Sequence, residues 1–389
     1  MRRFVCFGIA FVASAWIGPA AAQTKQQLNW CNGQNNATPQ QRVVGCDAGI
    51  KTGKYKGAQL GPFYINRGRG HADMGNLDRA MADYDQGLRL APRDLAGLLN
   101  RSNAYSERGD FDRAFADLDR AISINAKFVL GYYNRGSLFI KKGDHERAIQ
   151  DFNTAIKIDS KYIPAYVNRG NAYSVLRRYD EAIADATTAL KLLPQGTSNA
   201  QRALILGNRG GSYGLSKNQQ RSIADLSEAI ELDPQRRFRL ARQASYDLNG
   251  QPELALPDVE ELVKSDPKDH IGWQKRCWIR ARLGRLDEAR ADCDHLLELR
   301  PINPSARHAI GYIYAKQKQF DKAIAELDIA IKDSGYVEGG AIERNYAEVL
   351  YFRGITRLRN GDALGGAADM ATAKATKSDV AEDFSHYGL

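Results

Sequence analysis

Along the middle of the chain, apolar residues recur three and four places apart. In the stretch from Val129, Gly136, Phe139 and Ile140 share one face of a helix. After the turn at Gly143 and Asp144, Ala148, Phe152 and Ala155 fall at i, i+4 and i+7 of a second helix. The same helix pair recurs. Copies begin at Tyr64, Leu98, Tyr132 and Tyr166, 34 residues apart each time. Looser copies follow from Asn208, Ala241 and Trp273, then around Ile310 and Arg353, nine in all. Small residues stand at one place in the first helix (Gly68, Ser102, Gly136, Gly170, Gly210). Alanines stand at one place in the second (Ala80, Ala114, Ala148, Ala182), so the two backbones can approach closely. Pro92, Pro194, Pro234, Pro267 and Pro301 end second helices.

A 34-residue period, helix–turn–helix units, small residues at fixed places and a terminal proline together resemble the tetratricopeptide repeat family. The resemblance covers roughly 64–373 and is tightest in the first four copies. It implies an all-α fold, a right-handed superhelical solenoid of about nine repeats with capping helices at both ends.

One departure from the family is an arginine in all but one of the first helices where leucine is usual. Arg67, Arg101, Arg135, Arg169, Arg209, Arg242, Arg276 and Arg353 occupy one repeat position. Sixteen residues later stand Asp83, Asp117, Asp151, Asp185, Asp225, Asp258, Asp292 and Asp369. The copy without this arginine has Ile310, and its acid is Glu326. Arginine's fork matches a carboxylate, so the spacing favours ion pairs within each repeat over a row of cations awaiting an anionic ligand.

In related repeat domains the first helices line a concave groove that takes an extended or helical peptide. By register, Ile65, Leu99, Tyr133 and Val167 form an apolar stripe there. Arg69, Asn103, Ser137 and Asn171 lie beside it and can hydrogen-bond a peptide backbone. The competing expectation is that some of these residues pack between neighbouring repeats. The paired lysines with which some family members clamp a terminal carboxylate are missing.

Composition changes this picture little. With 43% hydrophobic and 26% charged residues the chain is of ordinary globular type, and a net charge of +9 of mixed sign does not by itself indicate nucleic acid. One basic cluster stands out in the second half: Arg236, Arg237, Arg239, Lys275, Arg280, Arg282 and Arg285. It is either a solvated face or a seat for an acidic segment or an anionic polymer. Gly210-Gly211-Ser212-Tyr213-Gly214 matches the hydrolase elbow, but it lies in register inside a first helix where the elbow needs a strand before it. No phosphate loop, zinc-protease motif or dinucleotide fingerprint occurs, and Cys293 with His295 supplies only two ligands. Neither a catalytic residue nor a cofactor or metal is expected.

The first residues have the three parts of a secretory signal: Arg2 and Arg3, the apolar run Phe4 to Ile17, and Ala20-Ala21-Ala22, with cleavage expected after Ala22. Export places the remaining cysteines, Cys31, Cys46, Cys277 and Cys293, in an oxidising compartment. Local pairing, Cys31–Cys46 and Cys277–Cys293, is the simplest arrangement. A zinc site is the rival, without C-x-x-C spacing in its favour. In the repeat register Cys277 and Cys293 face each other. Thr38, Pro39 and Gln41 predict the capped start of a short helix bearing Cys46, to which Cys31 staples the incoming chain. The expected order is a signal over 1–22, a cap over 23–60, a regular array of four repeats over 61–196 and an insertion and hinge candidate over 197–202. A looser array of five repeats over 203–377 and a terminal cap over 378–389 follow. Pro257 should kink a second helix. The expected function is a non-catalytic scaffold of the bacterial periplasm that holds a protein or peptide partner in the groove. The alternative is a carrier or sensor of an anionic small or polymeric envelope ligand, bound by the basic second half.

Overall fold

The computed structural model describes residues 19–34, 36–335 and 346–381. Among them every regular element is helical, and the helices form two compact units, residues 1–176 and 177–389. The leading residues of the expected signal and the end of the expected terminal cap lie outside the described residues.

The first unit contains α1 (Pro19–Cys31), α2 (Pro39–Lys51), a short 3₁₀ turn (Gly57–Leu60) and then helix pairs. These are α3 (Gly61–Asp73) with α4 (Leu77–Leu90), α5 (Leu95–Glu107) with α6 (Phe111–Ile124), and α7 (Val129–Lys141) with α8 (His145–Ile158). α9 (Ile163–Val175) closes the unit. Local chemistry explains where these helices start. Asp94, Asp110 and Asp144 each accept the backbone N–H three residues on, which satisfies one of the free donors of a helix N-terminus. Gly143 turns the chain between α7 and α8 at φ +78°, a conformation that favours glycine.

The second unit opens with α10 (Tyr179–Leu192) and continues with α11 (Asn199–Leu215) and α12 (Gln219–Leu232). α13 (Arg236–Leu248), α14 (Pro252–Ser265), α15 (His270–Arg282) and α16 (Leu286–Leu299) follow. It ends with α17 (Pro304–Lys316), α18 (Phe320–Asp333), α19 (Ala347–Arg359) and α20 (Ala363–Thr376). Residues 199–202, read from the sequence as part of an insertion, are helical and lengthen α11 behind the N-cap Ser198. Helix α14 runs on through Pro257, which is exposed.

Packing within a pair rests on a small residue facing a large one. A Cβ on Gly136 would sit 2.7 Å from the ring of Phe152, which is fully buried. These are the eighth residues of α7 and α8. Cys277 and Cys293 are the eighth residues of α15 and α16, and there the same contact is a disulfide with Cα atoms 5.5 Å apart.

The second disulfide, Cys31–Cys46, joins the end of α1 to the eighth residue of α2. The predicted capping box of α2 is present: Thr38 Oγ1 accepts from Gln41 N at 3.2 Å, and Gln41 Oε1 accepts from Thr38 N at 2.9 Å. The incoming chain, for which no helix was predicted, is itself helical and ends at Cys31. α2 offers that helix a close seat. A Cβ on Gly45 would lie 2.1 Å from the Gln27 carbonyl oxygen, so only glycine there lets α1 approach.

Candidate functional site

The arginine row decides how the first helices are held. In the first unit Arg67, Arg101 and Arg135 each give Nε and one terminal nitrogen to both oxygens of Asp83, Asp117 and Asp151, at 2.6–2.8 Å. The third nitrogen reaches back to the element before: Arg67 to Asp47 on α2, Arg101 to Asp85, Arg135 to Asp119 and Arg169 to Asn153. These bonds hold the guanidiniums of Arg67, Arg101 and Arg135 above their ordinary range, the bidentate carboxylate being the largest cause. In the second unit Arg209, Arg242, Arg276 and Arg353 make the same bidentate pairs with Asp225, Asp258, Asp292 and Asp369. Glu326 is paired too, with Arg307 at 2.9 Å. The row is therefore a frame, and its cations are not waiting for an anionic ligand.

That frame sets α3, α5, α7 and α9 side by side. On their common face the predicted groove residues divide. Leu99, Tyr133 and Val167 are half-buried, and Arg69, Asn103 and Asn171 are exposed. Ile65 is a correction: only 2% of it is exposed, and its side chain fills the space left beside Gly87 and Gly97, so no partner can reach it. Tyr133 meets Tyr162 edge to face at 5.3 Å, and its hydroxyl accepts from Asn168 Nδ2 at 3.2 Å. Ser137 donates to the Tyr133 carbonyl at 2.9 Å and accepts from Asn168 at 3.4 Å.

Between α7 and α9 this face opens into a mostly apolar cleft of about 290 Å³, lined by Ser137, Ile140, Lys141, His145, Asn168, Asn171, Ala172 and Val175. Ser137 and Asn171 were expected at the groove. Ile140 and Lys141 fall three and four residues after Ser137, and Asn168 and Val175 three before and four after Asn171, so they share those helical faces although they were not expected at the groove. A second cleft, of about 490 Å³, includes Asp119, Arg135, Phe139, Arg147 and Asp151, and its charges largely neutralise one another.

The basic cluster of the second half is broken up in the same way. Arg236 forks onto Asp269 at 2.7 Å, Arg239 meets Asp258 at 3.5 Å, Arg280 meets Asp292 at 2.9 Å, and Arg282 pairs with Asp247. Burial still pushes the Asp247 carboxyl up, against the pull of Arg282 and Lys275. Arg237 lies over the ring of Phe238 at 4.7 Å, and Arg285 is exposed beside the start of α16. Residues close in sequence are thus spread over helix faces, and Arg236, Arg239, Arg280 and Arg282 each stand against an acid.

Ser212 is buried inside α11 and donates to the Asn208 carbonyl at 3.1 Å, with helix rather than strand before it. His295 bonds Glu298 and packs at a tilt against Trp273, while Cys293 is held in its disulfide. Among the described residues no helix is long and apolar enough to cross a membrane.

Sequence models of the tetratricopeptide repeat match this chain over residues 65–128, 163–195, 245–304 and 275–338, and a model of the TPR repeat matches 136–174. Together these matches span more than half of it. No curated protein shows a significant match. Solved structures that are similar include a tetratricopeptide repeat protein from Parabacteroides merdae. It is 21% identical, with 63% of this chain and 94% of that one covered at a TM-score of 0.48. PilW, a type IV pilus biogenesis factor, is 16% identical, with 54% and 94% covered and a TM-score of 0.48. MamA is 20% identical, with 45% and 92% covered and a TM-score of 0.39.

Proposed function

The chain belongs to the tetratricopeptide repeat family, and from that premise we propose that it is a non-catalytic scaffold of the bacterial cell envelope. Its first unit holds an extended segment of a protein partner along α3, α5, α7 and α9. The observation that carries this reading is the accessible face of those helices. There half-buried Leu99, Tyr133 and Val167 alternate with exposed Asn103 and Asn171 on a frame fixed by ion pairs. Apolar side chains give such a surface its contact area, and neighbouring amides fix an extended backbone without any covalent step. The envelope assignment rests on the leader-like first 22 residues and on two disulfides, which persist in oxidising compartments. The pairing of Arg236, Arg239, Arg280 and Arg282 with acids weighs against an anionic ligand on the second half.

A photo-crosslinking residue at Asn103, with a control at the exposed Lys157 on α8, tests the groove in cells that export the protein. A discrete adduct at position 103 and none at 157 is expected. Absence of an adduct at 103 would reject groove binding.

A further inference from the structure

The cleft between α7 and α9 narrows what the partner segment can be. Resting on the groove reading above, we propose that it takes one aliphatic side chain of the partner next to a carboxylate, so the segment carries an aliphatic residue beside Asp or Glu. Size comes first. At about 290 Å³ the cleft lies at the bottom of the ~300–1,000 Å³ range of pockets that enclose a whole small ligand, which suits a single side chain.

Its walls come next. Ile140, Ala172 and Val175 are apolar, and Val175 leaves 62% of its surface exposed at the mouth. An aliphatic group covering Val175 removes that surface from water. The rim then sets the charge. Lys141 and His145 line the cleft, and no acid does. Lys141 Nζ touches Ser106 Oγ at 2.9 Å and keeps further donors for a carboxylate. His145 Nδ1 is shut away from solvent and out of an occupant's reach, so the cation that faces the cleft is Lys141. The floor is preformed, because Asn168 is already tied to Tyr133 and Ser137. Complementary charge at a rim of this kind chooses among partners more than it adds affinity.

The test is selection of a phage-displayed random dodecapeptide library on the full chain, repeated on Val175→Glu and Lys141→Glu. Both positions are exposed, and circular dichroism checks that each variant keeps its fold. The native chain is expected to enrich Leu, Ile, Val or Met adjacent to Asp or Glu. Val175→Glu should lower binding of the enriched peptides at least 10-fold. Lys141→Glu should replace the acid in the consensus by Lys or Arg. A consensus without the aliphatic–acid pair, or one unchanged by both substitutions, overturns the proposal, as does the lack of any consensus. The crosslink at Asn103 lies outside the cleft and reports separately. An adduct there beside a failed selection leaves groove binding standing and this specificity rejected, whereas loss of both rejects the groove as well.

Discussion

A single arginine of the row holds two carboxylates of very different worth. Asp151 is buried and takes both ends of Arg135's fork, whereas the side chain of Asp119, on the third nitrogen, is 59% exposed. Removing a buried partner strands the other charge, while an exposed pair is worth little. Asp151→Ala is therefore expected to lower stability by about 3 kcal/mol, and Asp119→Ala by less than about 1 kcal/mol, read as urea midpoints. His308 supplies a residue-scale response to pH. It packs beside Trp278 and Phe352 with Nε2 unbonded, and burial lowers its pKa from 6.5 to about 4. The unfolded chain then binds the proton more readily than the folded one. Stability conferred by the neutral imidazole is full above pH 6.5 and falls as pH drops toward 4. A shift of that size corresponds to on the order of 3 kcal/mol. Thermal melts should lose that part of their acid dependence in His308→Gln, and an unchanged slope would assign it to carboxylates.

Among the elements, the repeat helices were legible because one pattern states them nine times. Period, small-to-large contacts, turn glycines and the partners of the arginine fork all agree. The helix α1 was not legible. Its sequence lacks an amphipathic stripe, and its place is set by the seat at Gly45 and by the bond to Cys46, both tertiary facts. Ile65 shows the opposite failure. It shares a register position with Leu99 and Tyr133, yet the glycines at 87 and 97 leave a hollow that draws it inward. The back-reaching partners Asp85 and Asp119 were readable, since each precedes its arginine by 16 residues, but only the forward acid was sought. For α1 the expectation is specific. A loop of this size stabilises by roughly 3 kcal/mol in the chain-entropy model. Cys31→Ser with Cys46→Ser should raise hydrogen exchange across α1 and α2 while α5 to α8 keep their protection. Unchanged exchange in α1 would show that packing alone holds it.

At the scale of the molecule the third-nitrogen bonds differ in kind along the chain. Acids receive them at one end (Asp47, Asp85, Asp119) and again at the other (Asp328 with Arg353). Between these the acceptors are neutral: Asn153 for Arg169, Thr187 for Arg209 and Ser227 for Arg242. Asn153→Asp should therefore stabilise the first unit by about 0.2–1 kcal/mol at low ionic strength, since the site is exposed. The gain should shrink in 0.5 M salt, at about which screening acts within a few ångströms. A gain that ignored salt would mean the new carboxylate works by something other than charge.

The same series has a mechanical side. Each repeat is fastened chiefly to its neighbours, so a load drawn along such a stack passes through its joints in turn, and the softest joint yields first. In the first unit the charged clasps at Asp47, Asp85 and Asp119 are followed by the neutral one at Asn153. Tension drawn along the first unit by a bound partner would therefore load the neutral joint at Asn153 before the clasps at Asp85 and Asp119 let go.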